Sequence, residues 1–368
     1  MSRPHHYWMA EALRQARKGL YSTPPNPSVG CVIVFDDALI SCGWHGYSGG
    51  PHAEVNALLA VEIPAGADIY VTLEPCSHHG RTPPCVDALI DAKPARVIVA
   101  MQDPNPQVSG QGLDQLRAQG IDVIVGVLED AARELNRGFI KRMEQGLPFV
   151  SIKMASSLDG RSALKNGSSQ WITSAAARRD VQFLRARAAA ILTSAQTVLD
   201  DDPSLNLRLS KQDLKQIFEV RQPVRVVLDS RLRLSGSEKL FTIPGDIWIY
   251  TLSEDPDRHE RLAARGATVI QATEDAAGRI DLVALLQDLA QREINDVHSE
   301  CGQRLAGALI DQQLADQVVL YLAPHLLGSA ARGIFDLGEL TAMEQRKTCS
   351  MRDVRQIGDD LRLTLSID

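Results

Sequence analysis

Three short segments in the N-terminal third of the sequence arrange histidine, glutamate and cysteine in an order suited to metal chemistry. They are Pro51-His52-Ala53-Glu54, Glu74-Pro75-Cys76 and, further along the chain, Cys85. One imidazole and two thiolates give a tetrahedral zinc ion three protein ligands and leave its fourth position for water. Zinc lowers the pKa of that water towards neutrality. We therefore expect one Zn²⁺ to be held by His52, Cys76 and Cys85.

Glu54 stands beside these ligands without being one of them. His-x-Glu followed by Pro-Cys and a second cysteine is the general signature of the zinc deaminases, in which the glutamate acts as general acid and base. Glu54 is thus predicted to take a proton from the water and deliver it to the leaving amine. The pattern indicates an enzyme that removes an exocyclic amine from a nitrogen heterocycle.

Other interpretations of this pattern remain open from the residues alone. His78 or His79 could supply a fourth protein ligand and close a purely structural zinc site, which would leave Glu54 without a role. The two cysteines could also be buried and inert. A zinc-stabilised binding module without turnover would keep its function after Glu54→Gln, whereas a deaminase would lose activity and keep its metal.

The stretch between the two cysteines is longer than the two residues found in the common form of the signature. It reads Ser77-His78-His79-Gly80-Arg81-Thr82-Pro83-Pro84. Its polar and basic character predicts a contact with an anionic part of the substrate, with His78 and Arg81 as donors. The alternative is a solvated loop with incidental charge.

The ligands are expected at the ends of regular elements. Pro51 can open a helix that places His52 and Glu54 in its first turn. Cys76 follows a predicted buried strand at Ile69–Leu73, and Cys85 opens a predicted helix over Val86–Ala92, where the helix dipole favours a thiolate. Alternation of such helices and strands predicts an α/β sheet with helices on both faces.

Length and composition indicate two domains. The chain has 368 residues, which exceeds one ordinary domain. The charged segment Asp130 to Gly146 is predicted to be helical and to end the first domain, giving domains 1–146 and 147–368. The formal net charge of −7 argues against a general nucleic-acid binder.

The sequence shows no signal of export or of membrane insertion. Residues Met1 to Leu20 lack an unbroken apolar core, and nowhere do 18 apolar residues follow one another. Six cysteines in a long chain of this kind do not indicate a disulfide framework. We expect a cytoplasmic homo-oligomer that acts on a small molecule, with no nucleic-acid and no membrane partner.

The second half has its own alternation of strands and helices but no Gly-x-Gly-x-x-Gly motif, so a Rossmann site is unsupported. Strands are predicted at 149–154, 191–194, 224–229, 247–250, 296–300, 318–322 and 361–367. Asp296 to Gly302 followed by Gln303 to Ile310 is typical of a strand, a small-residue turn and a helix N-terminus, whose amides can cradle a pyrophosphate. Order in the long polar stretch Ser204 to Gln222 is left open.

Several runs closely resemble those of the bifunctional riboflavin-biosynthesis deaminase/reductases. They are Leu73 to Cys85, Asn26-Pro27 with Val29-Gly30-Cys31, Gln102 to Pro106 and Ser169 to Thr173. The resemblance covers almost the whole chain. It implies an α/β protein with an N-terminal cytidine-deaminase-like three-layer domain followed by a dihydrofolate-reductase-like α/β domain.

The resemblance also implies two reactions. The zinc domain would deaminate 2,5-diamino-6-(5-phosphoribosylamino)pyrimidin-4-one, and the second domain would use NADPH to reduce the ribosyl to a ribityl chain. The competing enzyme class is a nucleic-acid or free-base zinc deaminase with an accessory domain. That class predicts a two-residue cysteine spacing and a basic surface, and the sequence has neither.

By the same resemblance, other positions match the family's ligand contacts. Implied substrate contacts, with His78 and Arg81 above, are Asn26, Ser169, Arg185, Leu205, Arg208 and Glu300. Implied cofactor contacts are Ala155, Trp171, Thr197, Asp201, Ser230, Gly302, Gln303, Arg304, Leu305, Ala306, Gly307 and Ala308.

Some of these residues also have plain structural interpretations. Arg185 and Arg208 suit a sugar phosphate, although Arg185 could belong to an ordinary solvated helix face. Trp171 could be core packing, and His45, like Asn26, could stabilise a turn. Lys153, in the first predicted strand of the second half, is a candidate for a role near the reacting sugar.

Overall fold

The structure is a computed structural model that describes residues 3–77, 84–106 and 108–367. The chain divides into two compact units. The first comprises Met1–Gly146 and Ser210–Arg221, and the second comprises Leu147–Leu209 and Gln222–Asp368. No helix in the described ranges is both long enough and apolar enough to cross a bilayer.

Within its described residues, the first unit is built on a five-stranded sheet in the order β2-β1-β3-β4-β5. The strands β3, β4 and β5 are parallel, and β1 runs antiparallel to both β2 and β3. The strands are β1 (Gly30–Phe35), β2 (Ala38–Trp44), β3 (Asp68–Val71), β4 (Arg96–Val99) and β5 (Asp122–Val125). The helices are α1 (His5–Ala16), α2 (Ala53–Leu58), α3 (Cys85–Ala92), α4 (Gln111–Ala118), α5 (Glu129–Leu135) and α6 (Arg137–Gln145).

Alternate residues of these strands pack in two separate hydrophobic cores, one on each face of the sheet. Ile33, Ile69 and Val97 pack with α2, α3 and α4 on one face. Val32 and Ile98 pack with α1, α5 and α6 on the other. This is the two-residue period of a strand buried on both faces, and it produces the three layers that were predicted.

The sequence predicts a hairpin in which Val29–Phe35 pairs with Ala38–Trp44 through Asp36-Asp37, and the pairing of β1 with β2 confirms it. Its two turn residues, Asp36 and Asp37, both have positive φ angles, of 49° and 59°. Such a pair is the type I′ conformation that suits a two-residue hairpin, and aspartate tolerates it better than most residues.

The single helix predicted over 130–146 is wrong in detail, because Asn136 divides it into α5 and α6. Asn136 adopts φ −108° and ψ 23°. Its buried amide accepts a hydrogen bond from the backbone N–H of Ser28 (2.7 Å) and donates one to the Ser28 carbonyl (3.0 Å). Tertiary hydrogen bonds to the turn before β1 thus outweigh the local helical preference.

In the described part of the second unit, the main sheet has nine strands in the order β11-β10-β9-β8-β12-β6-β13-β16-β15. The strands from β11 to β13 in that order are parallel, and β16 and β15 continue the sheet antiparallel. They are β6 (Phe149–Ser157), β8 (Ala190–Ser194), β9 (Val224–Leu228), β10 (Ile247–Thr251), β11 (Ala267–Gln271), β12 (Asp296–Glu300), β13 (Gln317–Ala323), β15 (Cys349–Ile357) and β16 (Asp360–Ile367).

Helices cover both faces of this sheet, and a small two-stranded sheet lies apart from it. The largest core cluster joins α10 and α11 to the sheet, while α7, α8 and α9 contribute to two others. The helices are α7 (Ala175–Arg187), α8 (Ala195–Asp201), α9 (Pro256–Ala263), α10 (Leu282–Gln291) and α11 (Gln303–Asp311), and the small sheet pairs β7 (Arg161–Ala163) with β14 (Arg332–Gly333).

All seven strands predicted for the second half are present, but β11 and β15 of the main sheet and the short strands β7 and β14 were missed. In addition, the stretch 204–222 is not simply a polar loop. Its leucines Leu205, Leu207, Leu209 and Leu214 are all buried. The chain there is irregular in backbone conformation yet anchored by apolar side chains.

Candidate functional site

The three predicted zinc ligands converge in the first unit. Their ligand atoms, the His52 Nδ1 and the Cys76 and Cys85 Sγ atoms, lie within 4.8 Å of one another. His52 Nδ1 is 3.2 Å from the Cys85 sulfur and 3.5 Å from the Cys76 sulfur. One nitrogen and two soft sulfurs at this separation are a donor set that suits Zn²⁺, so the residues fit the predicted metal.

Element ends bring these ligands together, as expected. His52 is the residue before α2, and Cys85 is the first residue of α3. Cys76 follows the strand β3, and its sulfur accepts a hydrogen bond from the Cys85 backbone N–H at 3.3 Å. The helix α2 approaches the sheet closely because Gly43 of β2 has no side chain, since a Cβ there would lie 2.3 Å from the Ala53 carbonyl oxygen.

The electrostatics of the site favour a thiolate. Hydrogen bonding to Cys85, and then to His52, holds the pKa of the Cys76 thiol well below its ordinary value. A thiolate is the form that binds a metal.

Glu54 lies in the first turn of α2 and is almost fully buried, with 3% of its surface exposed. Burial raises the pKa of its carboxyl to about 7. A carboxyl that titrates near neutrality can both accept and donate a proton at the operating pH, which is what a general acid and base requires.

Asn26 and His45 form a hydrogen-bonded pair beside the ligands. Asn26 Nδ2 is 3.2 Å from His45 Nε2, and His45 Nδ1 is 3.1 Å from the carbonyl oxygen of Pro51, the residue before His52. The His45 and His52 rings meet edge to face with their centroids 5.3 Å apart. His45 therefore ties the predicted substrate residue Asn26 to the loop that carries a metal ligand.

The predictions for the loop between the two cysteines concern three residues that the structure does not describe. His78 and Arg81, the predicted contacts to an anionic group, and His79, a candidate fourth ligand, lie outside the described residues.

Glu74 is a residue whose role sequence reasoning missed, although it stands in the Glu-Pro-Cys run. Its buried carboxylate accepts hydrogen bonds from four backbone amides, those of Asp103 (3.1 Å), Gly110 (2.9 Å), Gly112 (3.0 Å) and Leu113 (3.5 Å). It thereby fixes the segment before α4 next to Pro75-Cys76. In the sequence, the one sign of this role was the Gln102-Asp103-Pro104 run, which contains the Asp103 donor.

In the second unit, two neighbouring cavities open at the carboxyl ends of the central parallel strands. One measures about 630 Å³ and the other about 880 Å³, and Ser169, Thr197 and Asp201 line both. This edge is where parallel α/β sheets place their ligands.

The predicted contacts divide between these cavities. The smaller one is lined by the substrate residues Ser169, Arg185, Leu205, Arg208 and Glu300, together with Ala155 and Trp171. The larger one is lined by the cofactor residues Thr197, Asp201, Ser230, Gly302, Gln303, Arg304 and Leu305. Ala306, Gly307 and Ala308 do not line either cavity, because they lie further along α11, where Ala306 and Gly307 are buried.

The interpretation of Arg185 as part of an ordinary solvated helix face is wrong. Its buried guanidinium donates to both carboxylate oxygens of Glu300, at 2.5 and 2.9 Å, and to the Asn206 carbonyl oxygen at 2.8 Å. Burial alone would raise the pKa of Glu300, but Arg185 and His298 hold it well below its ordinary value. Arg185 therefore positions an ionised Glu300 in the cavity. The guanidinium of Arg208, which also lines this cavity, is exposed.

Lys153 lines the smaller cavity. In the register of the neighbouring strands β6 and β12, it lies opposite Glu300. Burial lowers the pKa of its ammonium, and the charges of Glu300 and Asp201 partly oppose that shift. A lysine of lowered pKa facing a cavity is suited to proton transfer.

Trp171 is not core packing, because 68% of its surface is exposed. The Arg178 guanidinium lies over its indole, 4.4 Å from the ring centroid. The ring lines the smaller cavity, and the cation–π contact with Arg178 stabilises its position.

Comparisons with known proteins match both units. Residues 2–101 match the cytidine and deoxycytidylate deaminase zinc-binding region, and residues 148–363 match the RibD C-terminal domain. The chain is 47% identical over 365 residues to the riboflavin biosynthesis protein RibD of Escherichia coli, covering 98% of each chain. It is 45% identical to that of Haemophilus influenzae, covering 97% of this chain and 96% of the relative.

Solved structures agree with these matches. Acinetobacter baumannii RibD superimposes with a TM-score of 0.90 at 43% identity, covering 99% of this chain and 98% of that one. A Thermotoga maritima diaminohydroxyphosphoribosylaminopyrimidine deaminase/5-amino-6-(5-phosphoribosylamino)uracil reductase gives a TM-score of 0.85 at 34% identity, covering 99% and 100%. The alternative of a nucleic-acid or free-base deaminase is not favoured. The chain belongs to the RibD family of bifunctional riboflavin-biosynthesis enzymes, which join a zinc-binding deaminase to a reductase.

Proposed function

We propose that the first unit deaminates a diaminopyrimidinone ribosyl phosphate and that the second reduces the ribosyl chain of the product with NADPH. The boundary between the two activities would lie at residues 146 and 147. The observation that carries the proposal is the convergence of His52, Cys76 and Cys85, with Glu54 buried in the first turn of the same helix that follows His52. The substrate named for the Thermotoga maritima relative supports the choice of pyrimidine.

In the deaminase, His52, Cys76 and Cys85 would hold zinc, which supplies a water of lowered pKa when bound. Glu54 would accept a proton from a water molecule that adds to the ring carbon bearing the amine, and would deliver that proton to the departing nitrogen. The second proton of the water would pass to the adjacent ring nitrogen, so that ammonia leaves and a carbonyl remains. The Asn26 amide, held by His45, hydrogen-bonds the pyrimidine or its sugar.

In the reductase, the turn at Gly302 and the start of α11 would face the cofactor pyrophosphate, and NADPH supplies the hydride when bound. Lys153 delivers the proton that accompanies reduction of the opened sugar, and the ionised Glu300 beside it orients the sugar hydroxyls. The open guanidinium of Arg208 binds the phosphate. Among the predicted contacts, Arg185, Leu205, Arg208 and Glu300 line only the smaller cavity, and Ser230 and residues 302–305 line only the larger one, which supports these roles.

The proposal is tested on the zinc-loaded full chain. The enzyme is incubated with the pyrimidine ribosyl phosphate and NADPH, and ammonia and NADPH absorbance are followed together. We expect ammonia release first and NADPH oxidation afterwards. Oxidation of NADPH without release of ammonia, or ammonia release from cytosine bases but not from the ribosyl phosphate, would contradict the proposed substrate.

A further inference from the structure

Residues 210–221 lie in the second half of the sequence but belong to the first compact unit. The segment is organised by its own hydrogen bonds. The Asp213 carboxylate accepts from the Ser210 backbone N–H (2.9 Å) and hydroxyl (2.8 Å), and the Gln216 N–H donates to the Lys211 carbonyl (2.8 Å). Leu214 is buried, so the segment has a defined conformation.

Phe218 of this segment packs on the loop between β2 and α2. Its ring lies 4.9 Å from the ring of Tyr47, centroid to centroid. It also fills the space above Gly46, where a Cβ would lie 2.6 Å from the Phe218 Cε2 atom. Glycine is needed at position 46 for this close approach and not for a positive φ, since Gly46 is not among the positive-φ residues.

A second contact holds the same loop. The Ser22 hydroxyl donates to the Gly46 carbonyl oxygen at 2.6 Å and lies 3.5 Å from the Gln216 side-chain oxygen. The loop backbone itself turns through a hydrogen bond from the Gly50 N–H to the Tyr47 carbonyl, 3.0 Å long.

The loop held in this way connects directly to the deaminase site. His45, next to Gly46, contacts Asn26 and the Pro51 carbonyl, and its ring meets that of His52. Only one peptide link therefore separates the Phe218 contact from the histidine that orients Asn26.

We infer that Phe218 is a positioning residue of the deaminase. It acts through the 46–50 loop to hold His45 and Asn26 in the arrangement that binds the pyrimidine substrate. This inference rests on the deaminase function proposed for the site. It also makes deamination dependent on a residue that lies well beyond residue 146.

The first test compares Phe218→Ala with Ile217→Ala in the zinc-loaded full chain. Ile217 is the neighbouring apolar residue of the segment, and its side chain is exposed. Loss of a ground-state positioning contact is expected to raise the deaminase KM roughly tenfold and to leave kcat within about threefold. Ile217→Ala should match the wild type, and reduction of separately supplied deaminated intermediate should be unchanged in both.

A second readout does not depend on turnover. In Phe218→Ala, amide hydrogen exchange over residues 45–51 should accelerate while zinc content stays at that of the wild type. Phe218→Leu, which keeps an apolar contact, should recover most of the KM and of the exchange protection.

The Gly46→Ala variant tests the same contact from its other side. Its methyl group displaces the Phe218 ring, so it should reproduce the raised KM. Combined with Phe218→Ala it should add little, because residues that act through one contact are not additive.

The outcomes separate the two proposals. If the wild-type enzyme releases no ammonia from the pyrimidine ribosyl phosphate, the proposed function fails whatever Phe218 does. If the wild type is active, an unchanged KM in Phe218→Ala overturns the positioning role. Multiplicative effects of the two substitutions, or a parallel loss of deamination and reduction in both variants, would also overturn it.

Discussion

The two sites of this chain are built in different ways. In the deaminase, the four side chains predicted to carry the chemistry, His52, Glu54, Cys76 and Cys85, lie at the starts of α2 and α3 and in the segment after β3. In the reductase, the lining residues run from Lys153 to Arg332 and come from strand ends, helices and irregular chain. A metal demands fixed residue types at close range, whereas a nucleotide cofactor is bound largely through backbone groups and the shape of the cavity.

This difference has a consequence for mutations. A single substitution in the deaminase should abolish one activity and spare the other. Single substitutions in the reductase should give graded losses, because several groups share the binding of each ligand.

The largest effect is expected from Cys76→Ala. Loss of one of only three protein ligands should remove zinc and bring deamination to background, since the ligand set no longer holds a catalytic metal. Zinc content, ammonia release and reduction of the supplied intermediate are measured together, with Cys349→Ala, at an exposed cysteine of the edge strand β15, as the control. Retention of zinc and activity in Cys76→Ala would break the contrast between the two sites.

Glu54→Gln should come next. The amide keeps the size of the buried carboxyl but cannot transfer a proton, so the deaminase kcat is expected to fall by a factor of about 10³. Zinc should remain bound and NADPH oxidation with supplied intermediate should be unchanged. The exposed Glu62→Gln is the matched control, and an active Glu54→Gln enzyme would point to a non-catalytic zinc site.

Lys153→Met should lower the reductase kcat by about 10²-fold, the scale of one lost proton donor. Deamination should continue at the wild-type rate, and the exposed Lys165→Met should have no effect on either reaction. Reduction at the normal rate in Lys153→Met would remove this lysine from the chemistry.

The smallest effect is expected from Arg208→Lys. Replacing the planar fork by a single ammonium should raise the reductase KM for the phosphorylated substrate by about tenfold and leave kcat nearly unchanged. Steady-state kinetics of Arg208→Lys check this, with Arg346→Lys, at an exposed arginine, as the control. A substrate lacking the phosphate should show no difference between Arg208→Lys and the wild type, and an equal loss with both substrates would exclude the phosphate as the partner.

The sequence predicted the convergence of three metal-ligating residues and most strands because those features depend on local order. His52, Cys76 and Cys85 lie in short motifs, and apolar runs such as 191–194 and 224–229 are buried on both faces. The edge strand β15 was missed because most of its residues are exposed and polar, so it forms only through pairing with β16.

Other features depend on partners that are distant in sequence. Arg185 and Glu300 are 115 positions apart, and no local pattern distinguishes a buried bidentate pair from a solvated arginine. Likewise, Asn136 interrupts a helix through its hydrogen bonds to Ser28. Phe218 contacts Gly46, which is distant from it in sequence. Only tertiary structure reveals such contacts.

The coordination of the bound metal tests the central claim most directly. X-ray absorption at the zinc edge of the loaded full-length enzyme should give two sulfurs at about 2.3 Å, one imidazole nitrogen at about 2.0 Å and one oxygen from water. In Glu54→Gln the same shell should persist. A second imidazole in place of the oxygen would mean that a fourth side chain closes the site, and the deaminase mechanism would be contradicted.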